Sequence, residues 1–343
     1  MNMKKVLASV LSGAVILSTA ACGGSGSASS AAASTGAASS AVSSAASSAA
    51  SDETYTIGIC QLVEHVALDA ATQGFQDALT DKLGDKVQFD LQNAQNDTNT
   101  CSTIINGFVS SGVDLIMANA TPALQAAAAG TDTIPILGTS VTEYGVALSI
   151  ENFDGTVGGN ISGTSDLAPL DEQAAMVKEW FPDAKTVGLL YCSAEANSQY
   201  QVDVVSAALA DLGYTCNLYA FSDSNDLSAV CTTAVAECDV IYVPTDNTVA
   251  ANTGIIDNIC RPAKIPVIAG EEGICAGCGV ATLSISYYDL GYTTGEMAAQ
   301  ILTGEADISE MPIEYTSVTP KYNATICDEL GLTVPDGYVA IES

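Results

Sequence analysis

Val113-Asp114-Leu115-Ile116-Met117-Ala118 is matched, far down the chain, by Cys238-Asp239-Val240-Ile241-Tyr242-Val243. A second landmark repeats in step with the first. Ile134-Pro135-Ile136-Leu137-Gly138 is echoed by Ile265-Pro266-Val267-Ile268-Ala269. Each apolar run is short, rich in branched residues and bounded by polar or turn-forming residues. Such runs read as strands buried on both faces. The two offsets are nearly equal, so the chain carries one structural unit twice.

Working outward, strands alternate with amphipathic helices in the same order in both halves. Strands are predicted over Thr54–Cys60, Val87–Gln92, Val113–Ala118 and Ile134–Leu137. Helices fall between them over Ala67–Leu83, Thr100–Ser111 and Thr121–Ala129, the last opened by Pro122 in its first turn. In the second half, strands are predicted over Thr186–Tyr191, Thr215–Ala220, Cys238–Val243 and Ile265–Ile268. Helices lie over Ser198–Leu212, Leu227–Ala236 and Val249–Cys260. The tail adds a strand at Leu283–Ser286, a helix at Tyr287–Leu302, a connection at Ile313–Thr319 and a helix at Tyr322–Leu330. Alternating β and α units give parallel sheets with helices on both faces. The expected fold class is therefore α/β, with two Rossmann-like lobes.

In open α/β sheets ligands bind beyond the carboxyl ends of the strands. The loops at those ends carry the chain's unusual polar residues. They are Gln61-Leu62-Val63-Glu64-His65, Asn119-Ala120-Thr121-Pro122 and Gly138-Thr139-Ser140 in the first half. In the second half they are Ser193 to Ser198, Pro244-Thr245-Asp246-Asn247-Thr248 and Gly270-Glu271-Glu272-Gly273.

The N-terminus reads as an export signal. Lys4 and Lys5 precede the apolar stretch Val6–Leu17, which is too short to span a bilayer. Thr19-Ala20-Ala21-Cys22 then resembles the lipobox of bacterial lipoproteins, with Thr19 where that pattern usually has Leu. The resemblance implies that Cys22 is lipid-modified and begins the mature chain; an ordinary secretory signal is the alternative. Residues 23–53 are almost wholly Ser, Ala and Gly. A coil of that composition and length reaches roughly 30 Å, enough to tether a folded body above a membrane.

Formal net charge is −31, and Arg261 is the sole arginine. Such a surface repels nucleic acid and anionic lipid, which both need cationic contacts. Scarce arginine also disfavours an anionic ligand. The chain has 11 cysteines. Cys275 and Cys278 form a lone C-x-x-C without a second pair or a histidine at zinc spacing, so no metal or cofactor is expected. The cysteines read as small buried thiols; a Cys275–Cys278 or Cys231–Cys238 disulfide is the alternative.

Several strings together carry a family resemblance: Ile59 to Ala71 with its Val-Glu-His core, Gln92-Asn93-Ala94-Gln95, Gly163-Thr164-Ser165-Asp166, Ser193 to Ser198, Tyr242 to Val249 and Ala269 to Gly273. From Tyr55 to about Leu332 the chain resembles exported solute-binding lipoproteins linked to import of tryptophan and related aromatic amino acids. The resemblance implies the type I periplasmic-binding architecture and an ABC permease as membrane partner. It implies a monomer held outside the cytoplasmic membrane. The implied divisions are signal and lipobox 1–22, tether 23–53, an N-terminal lobe 54–163 completed by about 287–312, and a C-terminal lobe 164–286 completed by about 313–343. Gly163-Thr164-Ser165 falls in the implied hinge.

A zwitterionic ligand needs acceptors for its ammonium and donors for its carboxylate. Asp246, Glu271 or Glu272 are the candidate acceptors, because charge-assisted hydrogen bonds are the stronger ones. Hydroxyls of Thr121, Thr139 and Ser140, with helix N-termini, are the candidate donors. Asn197 and Asn247 suit either end of the ligand, and Gln61, Glu64 and His65 follow the first strand. Each has a structural alternative. Asp246 suits a helix cap equally well. Glu271 and Glu272 fit an exposed acidic loop, His65 a structural histidine, Thr139 and Ser140 a strand end, Asn197 a turn. Trp180 reads as packing rather than a stacking platform.

The expected function is capture without catalysis, since G-x-S-x-G, H-E-x-x-H and a phosphate loop are missing and His65 is the sole histidine. An exported hydrolase using paired carboxylates is the rival class, and a sensor lobe a third. A sugar or nucleoside is the alternative ligand.

Overall fold

The computed structural model describes residues 54–342. The export signal, Cys22 and the whole of the tether lie outside them. The first half runs β1 (Tyr55–Gln61), α1 (Val66–Leu83), β2 (Val87–Asn93), α2 (Thr98–Ser111), β3 (Leu115–Asn119), α3 (Thr121–Gly130), β4 (Ile136–Val141), α4 (Tyr144–Leu148) and β5 (Ile161–Ser165). The second half runs α5 (Leu170–Trp180), β6 (Thr186–Cys192), α6 (Ala196–Asp211), β7 (Thr215–Phe221), α7 (Ser224–Glu237), β8 (Val240–Val243), α8 (Asn247–Ala250), α9 (Thr253–Ala263), β9 (Val267–Ala269), α10 (Glu272–Cys278) and β10 (Ala281–Ile285). The chain finishes with α11 (Tyr287–Leu302), β11 (Glu314–Tyr315), β12 (Val318–Tyr322), α12 (Ala324–Leu330) and β13 (Val339–Ala340).

Two sheets result. One has the order β11-β5-β4-β3-β1-β2, the other β13-β12-β10-β9-β8-β6-β7. Every pairing of named strands is parallel except β10 with β12. Central strands β3 and β8 are buried at every position, as apolar runs with helices on both faces must be. This is the two-sheet α/β fold expected from the repeat.

The repeated aspartate explains why the two halves match. Asp114 donates its backbone N–H to Thr56 O and accepts the Thr56 N–H at its side chain, 2.7 Å away. Asp239 donates to Thr186 O and accepts the Thr186 and Lys185 N–H groups at 3.0 and 2.8 Å. Each aspartate thus pins the loop before β3 or β8 to the start of β1 or β6. It sets the same register in both halves.

Several boundaries differ from those read in the sequence. The expected helix Val249–Cys260 is two helices, because Asp246 caps α8 and the Asn252 side chain donates to Thr248 O, ending it early. Pro135 lacks an N–H and stays outside β4, which instead continues through Gly138-Thr139-Ser140. Gly163-Thr164-Ser165, read as hinge, completes β5. At φ +145 Gly163 is in a conformation suited to glycine, and an added Cβ would sit 2.1 Å from Gly138 O.

The chain crosses between the sheets between β5 and α5, between β10 and α11, and between β11 and β12. β11 belongs to the first sheet, so the last crossing falls a few residues beyond the expected position near 312. α11 packs on α1 over the first sheet. Gly74, Gly291 and Gly295 let the two backbones meet, since a Cβ on Gly291 would lie 1.9 Å from Ala71 O.

No two of the described cysteines are joined by a disulfide in this structure. Neither the Cys275–Cys278 nor the Cys231–Cys238 bond is present. Cys278 Sγ donates to Ile274 O, Cys231 faces Cys260, and Cys238 faces Tyr219. Trp180 packs edge-on against Tyr338, with ring centroids 5.2 Å apart, in the second half's core.

Candidate binding site

The carboxyl ends of both sheets face one small polar cavity. The first half contributes His65, Leu68, Ser140 and Thr142. The second contributes Asn197, Thr245, Asp246, Asn247 and Ala250. Asp166 and Tyr287 come from two of the crossings. A larger groove near Glu172, Leu212 and Tyr338 includes none of the strand-end loops in its lining.

Ser140 owes its place to a register shift in β4 between Gly138 and Val141. Bulges bend a strand and re-aim side chains. Ser140 takes φ +53, an unusual value for a non-glycine residue and one that clusters at functional sites. Its Oγ is buried and has no hydrogen-bond partner among the described residues.

Asp166 follows β5 directly. Its Oδ2 accepts the Tyr287 hydroxyl at 2.8 Å, and its Oδ1 is buried without a partner among the described residues. Burial raises its pKa above the usual carboxylate range. Asn197 opens α6, donates from Nδ2 to Thr245 O at 2.9 Å, and likewise leaves Oδ1 unpartnered. Three uncompensated polar atoms, Ser140 Oγ, Asp166 Oδ1 and Asn197 Oδ1, therefore border one cavity. Native interiors rarely tolerate such atoms unless something binds them.

Asp246 also borders the cavity, but its oxygens are committed to backbone. Oδ1 accepts Val249 N–H at 2.9 Å and Oδ2 accepts Cys192 N–H at 2.7 Å. Burial first, then the Glu195 carboxylate, pushes its pKa up to about 8. Glu195 accepts from the backbone and side chains of Asn247 and Thr248, and so fixes α8 from the neighbouring loop.

Other residues singled out in the sequence lie elsewhere. Glu271 caps α10, accepting Gly273 and Ile274 N–H groups at 2.6 and 2.5 Å. Glu272 pairs with Lys321 at 2.7 Å and accepts the Ser284 hydroxyl. Neither is among the residues lining the cavity. Thr139 Oγ1 bonds Thr164 Oγ1 at 3.2 Å, behind the lining. Thr121 is buried at the start of α3 and outside the lining. Gln61 is consumed by Thr72, Asp69 and Val63 O, and with exposed Glu64 it lines a separate groove. Among the described residues no group of three His, Cys, Asp or Glu side chains could hold a metal ion.

Sequence reasoning missed Thr142, Asp166 and Tyr287 as cavity residues. The sequence reading takes Gly163-Thr164-Ser165 as hinge and assigns no strand over Ile161–Ser165, so Asp166 does not stand at a strand end in it. With β5 assigned, the strand-end rule would have found it.

Two hydrogen bonds span the cleft. His65 Nε2 lies 3.3 Å from Asn247 Oδ1, and Asn96 Nδ2 donates to Thr248 Oγ1 at 3.0 Å. Burial lowers the His65 pKa, so the neutral ring is favoured.

Two α/β halves, crossed three times and meeting at a polar cleft, define a two-lobed binding protein. The chain belongs to the ABC transporter substrate binding protein family, whose profile matches residues 56–341. It is an extracytoplasmic substrate-binding protein of an ABC transporter. It is 40% identical over 269 residues to a tyrosine-binding protein of Clostridioides difficile strain R20291, covering 77% of this chain and 76% of that one. The crystal structure of an ABC domain in complex with L-Trp from Streptococcus pneumoniae superposes with a TM-score of 0.80 at 31% identity, covering 84% of this chain and all of that one. A ligand-free, open substrate-binding protein with adhesive properties from Clostridium difficile has 38% identity over the same share of this chain, yet a TM-score of 0.64. The complex fits better although its sequence is more distant. In this chain the two bridging bonds join the halves across the cleft.

Proposed function

We propose that this chain captures an aromatic amino acid (tyrosine, tryptophan or phenylalanine) and delivers it to an ABC permease. The reading rests on the three unpartnered atoms bordering one cavity, Ser140 Oγ, Asp166 Oδ1 and Asn197 Oδ1. Two are acceptors and one can donate, which is the complement of a free amino acid. The ammonium sits between Asp166 Oδ1 and Asn197 Oδ1 in charge-assisted bonds. The carboxylate faces Ser140 Oγ and the first turn of α1. That helix opens on His65, whose side chain makes no cap bond, leaving first-turn N–H groups for an anion. Leu68, Ala250 and Tyr287 offer the apolar part of the lining. The named ligands of the two relatives favour the aromatic class. Ligand contacts to both halves stabilise the closed form that the permease would recognise.

We read the site as non-catalytic, because Asp246, Glu195 and Glu271 spend their oxygens on fixed protein donors. Asp166→Asn keeps the shape and removes the charge. Calorimetry should find the ligand bound about 10- to 100-fold more weakly, matching the roughly 1.5–3 kcal/mol of a hydrogen bond to a charged group. Unchanged affinity would remove the ammonium site.

Cys22 is proposed as the lipid anchor. Cys22→Ala should move the chain to the soluble fraction of fractionated cells with its melting temperature unchanged. Retention with the membranes would contradict the anchor.

A further inference from the structure

Cys231 on α7 and Cys260 on α9 lie side by side in the second half's core. Their sulfurs are 3.7 Å apart, and both side chains are buried. A disulfide needs sulfurs about 2.05 Å apart, so bonding brings the two closer by rotation about their side-chain bonds. The two residues are 29 positions apart in sequence, far enough for a crosslink to restrict the unfolded chain appreciably. Neither lines the ligand cavity.

We propose that Cys231 and Cys260 form a dithiol–disulfide pair that staples α7 to α9 once the chain is outside the cytoplasm. The oxidant is another disulfide, either a low-molecular-weight one or that of an exported thiol oxidoreductase. The Cys231 thiolate attacks one sulfur of that disulfide and expels the other as a thiol. The Cys260 thiolate then attacks the mixed disulfide at the Cys231 sulfur and expels the second thiol. Two thiols and one disulfide become one disulfide and two thiols, with no electrons unaccounted for. Exchange takes place as the chain folds, before the pair is enclosed, in a compartment where disulfides persist.

The test refolds the full chain with oxidised or reduced glutathione, then maps its peptides after alkylation. Oxidised protein should yield a Cys231–Cys260 crosslinked peptide, lose two hydrogens for that bond and melt several degrees higher. Affinity for its amino-acid ligand should be unchanged. Cys260→Ser should retain glutathione on Cys231 and show no rise in melting temperature. If Cys260→Ser fails to fold, the wild-type peptide map alone decides. Full alkylation of both cysteines after oxidation, or a crosslink joining Cys231 to another cysteine, would overturn the proposal.

Discussion

Asp166 and Asp246 carry the same group on the same cavity and are put to different uses. Asp246 gives both oxygens to backbone N–H groups, so it shapes the loop. Asp166 gives one oxygen to Tyr287 and keeps the other free. Burial carries an energetic consequence for both. The Asp246 pKa rises to about 8 and that of Glu271 to about 7, against unfolded values of about 4. The folded chain then holds protons that the unfolded chain has already released. Stability from these groups is present below about pH 4 and is lost as pH rises toward about 8. Melts of ligand-free protein should therefore show a falling midpoint from about pH 5 to about pH 8, and Asp246→Asn should flatten the fall. A midpoint rising over that range would contradict these environments. At this scale the sequence left Asp246 open between cap and contact, since the same position after a strand serves both. Only the paired N–H donors, which come from residues distant in sequence, separate the two uses.

Helix α11 leaves the second half and returns to lie on α1, and the pairing depends on what is absent from three positions. A Cβ at Gly74 would lie 2.1 Å from Tyr288 O, at Gly291 1.9 Å from Ala71 O, and at Gly295 2.6 Å from Phe75 O. Backbone cannot yield as a side chain tip can. Gly291→Ala should separate the helices and cost about 1–3 kcal/mol, as overpacking typically does, despite alanine's better helix propensity. Denaturant unfolding measures this, and a variant as stable as the parent would contradict the close approach. Tyr287–Leu302 was legible as a helix to the residue, and in the structure the Ser286 side chain caps it by accepting the Asp289 N–H. β5 was not legible. Its Ile161-Ser162-Gly163-Thr164-Ser165 run is polar and small, and in the fold it lies between β4 and β11, with Ser162 donating to the Met311 and Pro312 carbonyls. Losing that strand from the reading also hid Asp166.

On the scale of the whole molecule, the repeat made the two-sheet architecture readable, because the Asp114 and Asp239 pins recur at matching positions. The meeting of the strand ends followed from the same rule. What local pattern could not convey was which polar groups the fold satisfies internally, as with Glu271, Glu272 and Thr139, and which it leaves for a ligand. His65–Asn247 and Asn96–Thr248 join the halves, with the cavity between them. The central claim is that this cavity holds a free aromatic amino acid by its two charged ends. Calorimetric titration of ligand-free protein with tyrosine, tryptophan, phenylalanine, N-acetyltyrosine and glucose tests it directly. At least one of the free aromatic amino acids should bind one-to-one, while acetylation, which removes the ammonium, should abolish tyrosine binding. Equal binding of N-acetyltyrosine, or heat from glucose alone, would contradict the account.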